Sequence, residues 1–378
     1  MIDALTKAAI DRCVRLNIPF GCYIMPGSDC VNFVASPSGA ESVSDIDSAE
    51  GFVISTFELA DSLTYYVIRQ EAGVREILDL SADMEPKAPA TAEAPAASTR
   101  YEDYISAVKS IIAELDGDGE KTVYSRVMNL TSDLNPSEAA SRYFACHPSC
   151  FRFIYFTPQT GLWIGASPEL LLSVDRVNGV TCSMSVAGTR RRDENSGAWD
   201  MKNRMEHDIV TRYISDVLSD HIGRTARVEE SSACFGQIEH LCHSITVETT
   251  AGVAVSPSRL LPLLSPTPAL CGWPREKSYR MIRDKESYER LCYGGFVGQS
   301  TLDGVRLFVN LRSAMVSRLD DGNVTYRYSL YGGGGITVHS DPQSEWEETA
   351  QKMKSLQTVL LGETSQEAVA AKTKEMTF

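Results

Sequence analysis

The sequence predicts an α+β fold made mainly of antiparallel β-sheets. Segments rich in β-branched and aromatic residues outnumber segments with helical periodicity, and many are joined by turns of the kind that close hairpins. The helical segments fall between groups of strands and not after each strand, so a doubly wound parallel sheet is not expected. The length of 378 residues, 43% of them hydrophobic, suffices for one large core or for two domains.

The charge and the composition restrict the partners. A formal net charge of -14 makes nucleic acid and anionic membrane surfaces poor partners. An anionic small molecule would need a local group of cations or a metal ion. The sequence has no apolar run long enough to span a bilayer and no signal-peptide pattern in its first residues. The ten cysteines are scattered without repeated CxxC pairs, so we expect a soluble, cytoplasmic protein with reduced thiols.

The first hundred residues carry helical and strand patterns but no chemical motif. Residues 4–16 have helical spacing, and residues 20–25 and 52–57 are predicted strands. Residues 81–98 are rich in proline and alanine, which is typical of a linker between domains or of a long loop inside one domain. Both interpretations stay open.

We divide the chain at the Pro/Ala-rich stretch. Residues 1–98 are expected to pack into the same fold as the rest, residues 99–362 contain all candidate site residues, and residues 363–378 form a polar tail. Helices are predicted over residues 99–115, 201–218 and 278–291. Strands are predicted over residues 121–128, 151–156, 161–164, 183–186, 226–231, 238–249, 305–316 and 324–331.

The most unusual stretch is a run of four glycines, residues 332–335, directly after the last strand. Such a run lets a ligand or another segment approach the backbone closely. Pro342 then ends the extended chain, and Ser344 is predicted to cap a helix on which Glu345, Glu348 and Lys352 share one face. Two carboxylates and an ammonium beside bare backbone suit a hard cation together with an anionic ligand. A solvated charged face after a glycine turn explains the same pattern.

Single polar residues elsewhere allow two interpretations each. Glu169, between Pro168 and an apolar run, is either a buried acid with a raised pKa or a strand-start glutamate that faces water. Lys121 opens a strand, where lysines are usually solvated. His240 lies alone on a strand, where a histidine is more often structural than a ligand.

The order and spacing of these pieces resemble the chorismate-utilising enzymes. That family includes isochorismate synthase, salicylate synthase and the large subunits of anthranilate and aminodeoxychorismate synthases. The resemblance covers residues 121–356, nearly two thirds of the chain. The similar pieces are KTVYSR at 121–126, GASPELLL at 165–172, AGTRRR at 187–192, Glu206-His207, His240-Leu241, PTPALCGWP at 266–274, YGGFVG at 293–298, Arg312 in NLRSA, YGGGGI at 331–336 and EWEETAQK at 345–352.

The resemblance implies a fold, a substrate and a metal. It implies large antiparallel sheets packed face to face with helices on the outside, a variable N-terminal part, and chorismate as the small-molecule substrate. We also expect a monomer. The resemblance further implies a magnesium ion held by Glu206 and Glu348, with Glu345 in support one helical turn away. Magnesium prefers oxygen ligands and uses few protein carboxylates, which agrees with this set.

The resemblance also implies roles in catalysis. Lys121 matches the lysine that serves as general base where water attacks C2 of chorismate, and Glu169 matches the general acid for the hydroxyl that leaves C4. Ala187 replaces the nucleophilic lysine of aminodeoxychorismate synthases. The residues matched to substrate contacts are Gly188, Thr189, His240, Ala269, Leu270, Arg312, Tyr331, Gly333, Gly334, Gly335 and Lys352.

The resemblance therefore predicts a Mg2+-dependent isochorismate synthase that feeds menaquinone or catechol-siderophore synthesis. Ala269 favours this activity, because salicylate synthases more often carry a hydroxyl-bearing residue there. Two alternatives remain: a salicylate synthase, which goes on to eliminate pyruvate, and an inactive chorismate-binding paralogue.

Overall fold

Two antiparallel sheets form the centre of the molecule. The computed structural model describes residues 1–81, 84–87, 90–117, 119–191, 199, 201–235, 238–250, 255–320 and 324–362. Within these ranges, eight strands form one sheet, nine form the other, and eight α-helices surround them. The predicted α+β class, with antiparallel sheets face to face and helices outside, is confirmed.

The first sheet carries the glycine run. Its strands, in spatial order, are β13 (Gly272–Trp273), β6 (Lys121–Ser132), β17 (Val324–Ile336), β16 (Ser313–Asp320), β8 (Gly161–Ser167), β7 (Phe151–Thr157), β1 (Phe20–Ile24) and β2 (Asn32–Ala35).

The second sheet packs against the first. Its strands, in spatial order, are β11 (Arg227–Phe235), β12 (Ile238–Glu248), β10 (Val180–Arg191), β9 (Leu170–Asp175), β15 (Gly304–Val309), β14 (Phe296–Thr301), β4 (Gly51–Ser55), β5 (Tyr65–Ile68) and β3 (Glu41–Val43). Aromatic pairs join the two sheets: Phe151 stacks on Phe308 with 4.4 Å between ring centroids, and Tyr23 stacks on Phe52 at 5.1 Å.

The helices bury one apolar face each. They are α1 (Ala4–Leu16), α2 (Val74–Asp79), α3 (Tyr101–Glu114), α4 (Pro136–Cys146), α5 (Met201–Ile222), α6 (Pro257–Leu264), α7 (Arg275–Lys285) and α8 (Pro342–Leu360). Helices α1, α2, α4 and α8 share a buried cluster with the first sheet, and α5 packs on β10 and β12 of the second. Among the described residues, no helix has the length and apolarity needed to cross a membrane.

The N-terminal residues contribute strands to both sheets. Strand β1 pairs with β7 and strand β4 pairs with β14. The described residues of the Pro/Ala-rich stretch form a long loop laid along the fold, without helix or strand. The amide of Lys87 donates to the carbonyl of Leu16 at 2.9 Å, and the amide of Thr91 donates to the carbonyl of Pro158 at 2.7 Å.

Three local predictions were wrong. The strand expected over residues 305–316 is two strands, because the chain leaves the second sheet after Val309 and enters the first at Ser313. The last strand does not end before the glycines but runs through them to Ile336. Helix α8 is capped by the side chain of Asp341, which accepts from the amide of Ser344, with Pro342 in the first turn.

Candidate active site

The site begins where the chain crosses from one sheet to the other. Pro168 and Glu169 connect β8 of the first sheet to β9 of the second, and Arg312 lies on the return from β15 to β16. Strand pairing puts Ser313 opposite Gly165, and the amide of Ala166 donates to the carbonyl of Arg312. The two crossovers are therefore neighbours, and they bring Glu169 and Arg312 to the same end of the sheets.

A cavity lies between the sheets at this end. It encloses about 670 Å3 of space between the atoms that line it, and part of that space is open to solvent. Twelve of the predicted site residues line it: Glu169, Gly188, Glu206, His240, Ala269, Leu270, Arg312, Tyr331, Gly333, Gly335, Glu348 and Lys352. The other lining residues are Val123, Pro168, Val186, Ala187, Tyr293, Leu311 and Gly332.

The four glycines are explained by close neighbours on both faces of β17. Successive residues of a strand point to opposite faces. A Cβ on Gly333 would lie 3.0 Å from the hydroxyl of Tyr293, and one on Gly335 would overlap the carboxylate of Glu206. On the other face, a Cβ on Gly332 would lie 2.9 Å from a backbone oxygen of α8, and one on Gly334 would lie 2.9 Å from the carboxylate of Glu345. The run thus admits side chains to the cavity and lets α8 approach the strand.

Helix α8 brings Glu348 and Lys352 to the cavity. The pairing of β17 with β16 ends at Leu330, so the glycines continue beyond the end of that neighbour. The ammonium of Lys352 donates to the carbonyl of Gly333 at 2.8 Å, and its Nζ lies 2.6 Å from Oε1 of Glu348. Strand backbone therefore fixes the position of a cation at the cavity.

Lys121 is completely buried, in contrast to the usual solvated lysine at a strand end. Its Nζ donates to Oε1 of Glu206, a cavity-lining residue on α5, at 2.8 Å. A buried ammonium needs such a partner because the loss of hydration is costly. Lys121 does not itself border the cavity but reaches it through Glu206.

Glu169 has the properties of a buried neutral acid. It is 2% exposed, and burial raises its pKa to about 8, while the nearby charges of Lys121, Lys352 and Arg312 lower the pKa by less. Among the described residues its Oε1 has no hydrogen-bond partner. A carboxylic acid that is mostly protonated at pH 7 therefore borders the cavity.

His240 is a neutral imidazole that orients Arg312. Burial, with the neighbouring Arg312 charge, lowers the pKa of His240 to about 3. Its Nδ1 lies 3.0 Å from the carbonyl of Gly188, so Nδ1 carries the proton, and Nε2 accepts from Nη2 of Arg312 at 2.8 Å. Gly188 has φ +73 at a bulge in β10, a conformation that favours glycine.

Two further predicted site residues, Glu345 and Gly334, face away from the cavity, and Thr189 is described only in its backbone. Glu345 is on the opposite face of β17 from the cavity, where its Oε1 accepts from the hydroxyl of Ser340 at 2.7 Å. Gly334 faces Glu345 and α8 instead of the cavity. The backbone of Thr189 pairs with His240, and its side chain lies outside the described part of the structure.

The carboxylates of the cavity fit a magnesium ion held by few protein ligands. Within the described residues, no group of three acidic, histidine or cysteine side chains is already arranged around a metal position. Glu206 and Glu348 both line the cavity, and each now holds a lysine ammonium. A cation that takes two carboxylates and fills its other positions with water and substrate oxygens suits this donor set.

Sequence reasoning assigned no site role to Val123 or Tyr293. The signal for Val123 was its spacing of two from Lys121 on one strand, which puts both side chains on one face. Tyr293 belongs to the YGGFVG piece, and its ring stacks on Tyr331 with 5.2 Å between centroids. Strand alternation could have found the first, but only packing reveals the second.

Comparisons with known proteins give one family and one fold. Residues 53–361 match the family model described as chorismate binding enzyme. The isochorismate synthase EntC of Escherichia coli K12 is 29% identical over 273 residues, which cover 69% of this chain and 67% of that protein. The isochorismate synthase MenF of the same organism is 28% identical over 69% of this chain and 60% of its own length.

A solved structure has the same fold. The menaquinone-specific isochorismate synthase MenF of Escherichia coli superposes with a TM-score of 0.71 over 95% of this chain and 91% of that one, at 20% identity. The superposition includes the N-terminal part, where β1–β5 complete the two sheets.

Proposed function

This chain belongs to the family of chorismate-binding enzymes, and we propose on that premise that it is a magnesium-dependent isochorismate synthase. The reaction adds water at C2 of chorismate and removes the C4 hydroxyl. The observation that carries the proposal is that Glu169, a buried acid whose pKa is raised by burial, lines the cavity, while the buried Lys121 holds Glu206 on the wall of the same cavity.

The cavity supplies cations for a substrate with two carboxylates. Arg312 and Lys352 border it in a chain whose formal net charge is -14. His240 and the carbonyl of Lys352 fix the guanidinium of Arg312, at 2.8 and 3.2 Å. Because the donors are held in place before binding, little ordering is needed when the substrate arrives.

Glu206 and Glu348 would hold the magnesium ion. When bound, the metal would neutralise a substrate carboxylate and help to fix the ring. Glu345, behind the glycine strand, would support α8 and thereby Glu348 through its hydrogen bond from Ser340. Each carboxylate now accepts a lysine, so metal binding would exchange one positive partner for another.

Lys121 and Glu169 would carry the two proton transfers. Lys121, in its neutral form, removes a proton from the attacking water as oxygen bonds to C2. The double-bond electrons shift through the ring toward C4, and the C4–O bond breaks. Glu169 gives its proton to the departing oxygen, which leaves as water, so one water enters and one leaves.

Product analysis tests the proposal directly. Purified protein, Mg2+ and chorismate should give isochorismate, separated by chromatography, without an equivalent of pyruvate. Stoichiometric pyruvate would identify a salicylate synthase instead, and anthranilate formed with ammonia would identify the amine-adding branch. No product after prolonged incubation, with chorismate still bound, would favour an inactive paralogue.

The names of two relatives support two alternative routes for the proposed product. Their names include menaquinone-specific and vibriobactin-specific enzymes. We propose a cytoplasmic enzyme for either route. A deletion strain that grows poorly when iron is scarce indicates the siderophore route, and one that grows poorly when growth depends on quinone-dependent respiration indicates the menaquinone route.

A further inference from the structure

A buried ion pair lies beside the cavity and takes no part in the chemistry proposed above. Glu286 follows the last residue of α7, and Arg290 is four residues further on. Both side chains are 2% exposed. The guanidinium grips the carboxylate with two bonds, from Nε to Oε2 at 2.8 Å and from Nη2 to Oε1 at 2.5 Å.

The same guanidinium joins two walls of the cavity. Its Nη1 donates to the carbonyl of Leu270 at 2.8 Å, and its Nη2 donates to the carbonyl of Val123 at 2.6 Å. Both residues line the cavity, yet one lies on β6 and the other in the loop before β13. The amide of Val123 also donates to the carbonyl of Cys271, which ties that loop to β6 a second time.

Glu286 extends this connection to the glycine strand. Its Oε1 accepts from the amide and from the hydroxyl of Ser125, each at 2.8 Å. Ser125 pairs with Gly333 of β17, and its hydroxyl lies 2.7 Å from that of Tyr288. Strand β6 is therefore held by the glycine strand on one side and by the ion pair on the other.

Stability alone does not explain this buried ion pair. A buried ion pair adds little stability over apolar residues of similar volume, because desolvation offsets the attraction. Arginine, however, presents several donors in a rigid plane, and here they fix carbonyls from separate segments relative to each other. The ion pair therefore fixes the positions of Val123 and Leu270, which together form an apolar wall of the cavity.

We propose that Arg290, held by Glu286, is a positioning residue that fixes Val123 and Leu270 against the ring of the substrate. The inference rests on the proposed function. The carboxylates of the substrate would be bound elsewhere, by Arg312, Lys352 and the metal. Loss of the wall position should therefore lower kcat, which depends on the placement of C2 and C4, more than it raises KM.

The test is a charge-neutral double variant, Glu286→Gln with Arg290→Met. It leaves no unpaired buried charge but also removes the hydrogen bonds to the carbonyls of Leu270 and Val123, so the protein should fold with a lowered melting temperature. We expect kcat to fall at least about 10-fold, KM to change less than about 3-fold, and calorimetry to show one chorismate bound per chain. Arg290→Lys should not rescue kcat, because lysine lacks the planar fork.

Each outcome decides one question. A folded double variant with wild-type kcat overturns the positioning role, and so does a fall in kcat that matches a fall in binding stoichiometry.

If the double variant does not fold, Ser125→Ala weakens the same connection by removing one hydroxyl. A Ser125→Ala protein with full kcat then counts against the proposal, and one with kcat reduced about 3-fold or more at full binding stoichiometry supports it. If the wild-type protein makes no isochorismate, the proposed function is refuted, whereas the positioning of Val123 and Leu270 by Arg290 is not.

Discussion

Replacing Glu169 by glutamine should make the protein less active and, at alkaline pH, more stable. Glutamine has the same shape as the protonated acid but has no proton to give. General acid catalysis is worth roughly 10²–10⁴-fold, so isochorismate formation at pH 7 should fall at least about 100-fold. A pKa of about 8 keeps most of the wild-type Glu169 protonated at pH 7, and the wild-type rate should decline above pH 8.

The stability change follows from linkage. The folded pKa of Glu169, about 8, lies above the ordinary value of 4.5, so the folded state binds the proton more tightly. This stabilisation is complete below pH 4.5 and is lost as pH rises through 8. Between pH 6 and pH 9 the wild type should lose about 3 kcal/mol that the glutamine variant keeps, at about 1.4 kcal/mol per pH unit below pH 8.

Urea unfolding of both proteins at pH 6 and pH 9 measures this difference. The exposed Glu102 on α3 provides a matched control, since Glu102→Gln should change neither the activity nor the pH dependence. A Glu169→Gln protein that keeps its activity, or that loses stability at pH 9 relative to the wild type, would refute the assignment of a buried general acid.

Three further substitutions probe the rest of the site. Lys121→Gln should lower kcat roughly 10²–10⁴-fold because the general base is removed. The fold should be retained, since glutamine can still form a hydrogen bond with Glu206. A rate within about 10-fold of the wild-type rate argues against Lys121 as the base. Glu348→Ala should raise the Mg2+ concentration needed for half-maximal activity at least about 10-fold, measured by metal titration of the apoenzyme, and an unchanged requirement would exclude it as a ligand. Gly335→Ala should also raise the Mg2+ requirement, because the new methyl group displaces the carboxylate of Glu206, whereas Gly119→Ala, in open space, should leave it unchanged.

The pieces of the site could be found in the sequence because their residue types are unusual for their settings. Four consecutive glycines in a strand are costly unless neighbours need the space. The glutamate after Pro168 precedes an apolar run, which allowed a buried acid as well as a residue that faces water, and the structure shows the buried acid. For these residues the local pattern and the tertiary structure agree.

Glu345 shows where helical periodicity stops being informative. It shares a face of α8 with Glu348 and Lys352, and those two residues line the cavity. Glu345 instead lies on the other face of β17, beside Gly334, where the pairing of β17 with β16 has already ended. The spacing within one helix cannot reveal where a neighbouring strand ends.

Arg312 shows the same limit for strands. Val305 to Val316 alternate like one strand, yet Arg312 has φ +52 and lies at the change of sheets. Only the pairing of Ser313 with Gly165 in the other sheet makes this turn necessary. That contact joins residues about 150 positions apart, beyond the reach of any local pattern.

The sequence by itself determined the α+β class and the antiparallel pairing, because periodicity and turn chemistry act over a few positions. The candidate site residues came from the resemblance to the chorismate-utilising enzymes, and twelve of them line one cavity. The tertiary structure alone decided that Lys121 is buried against Glu206, that Glu345 faces away from the cavity, and that Arg290 joins two of its walls. Burial and charge pairing are set by segments distant in the chain, because desolvation depends on everything that packs around a group.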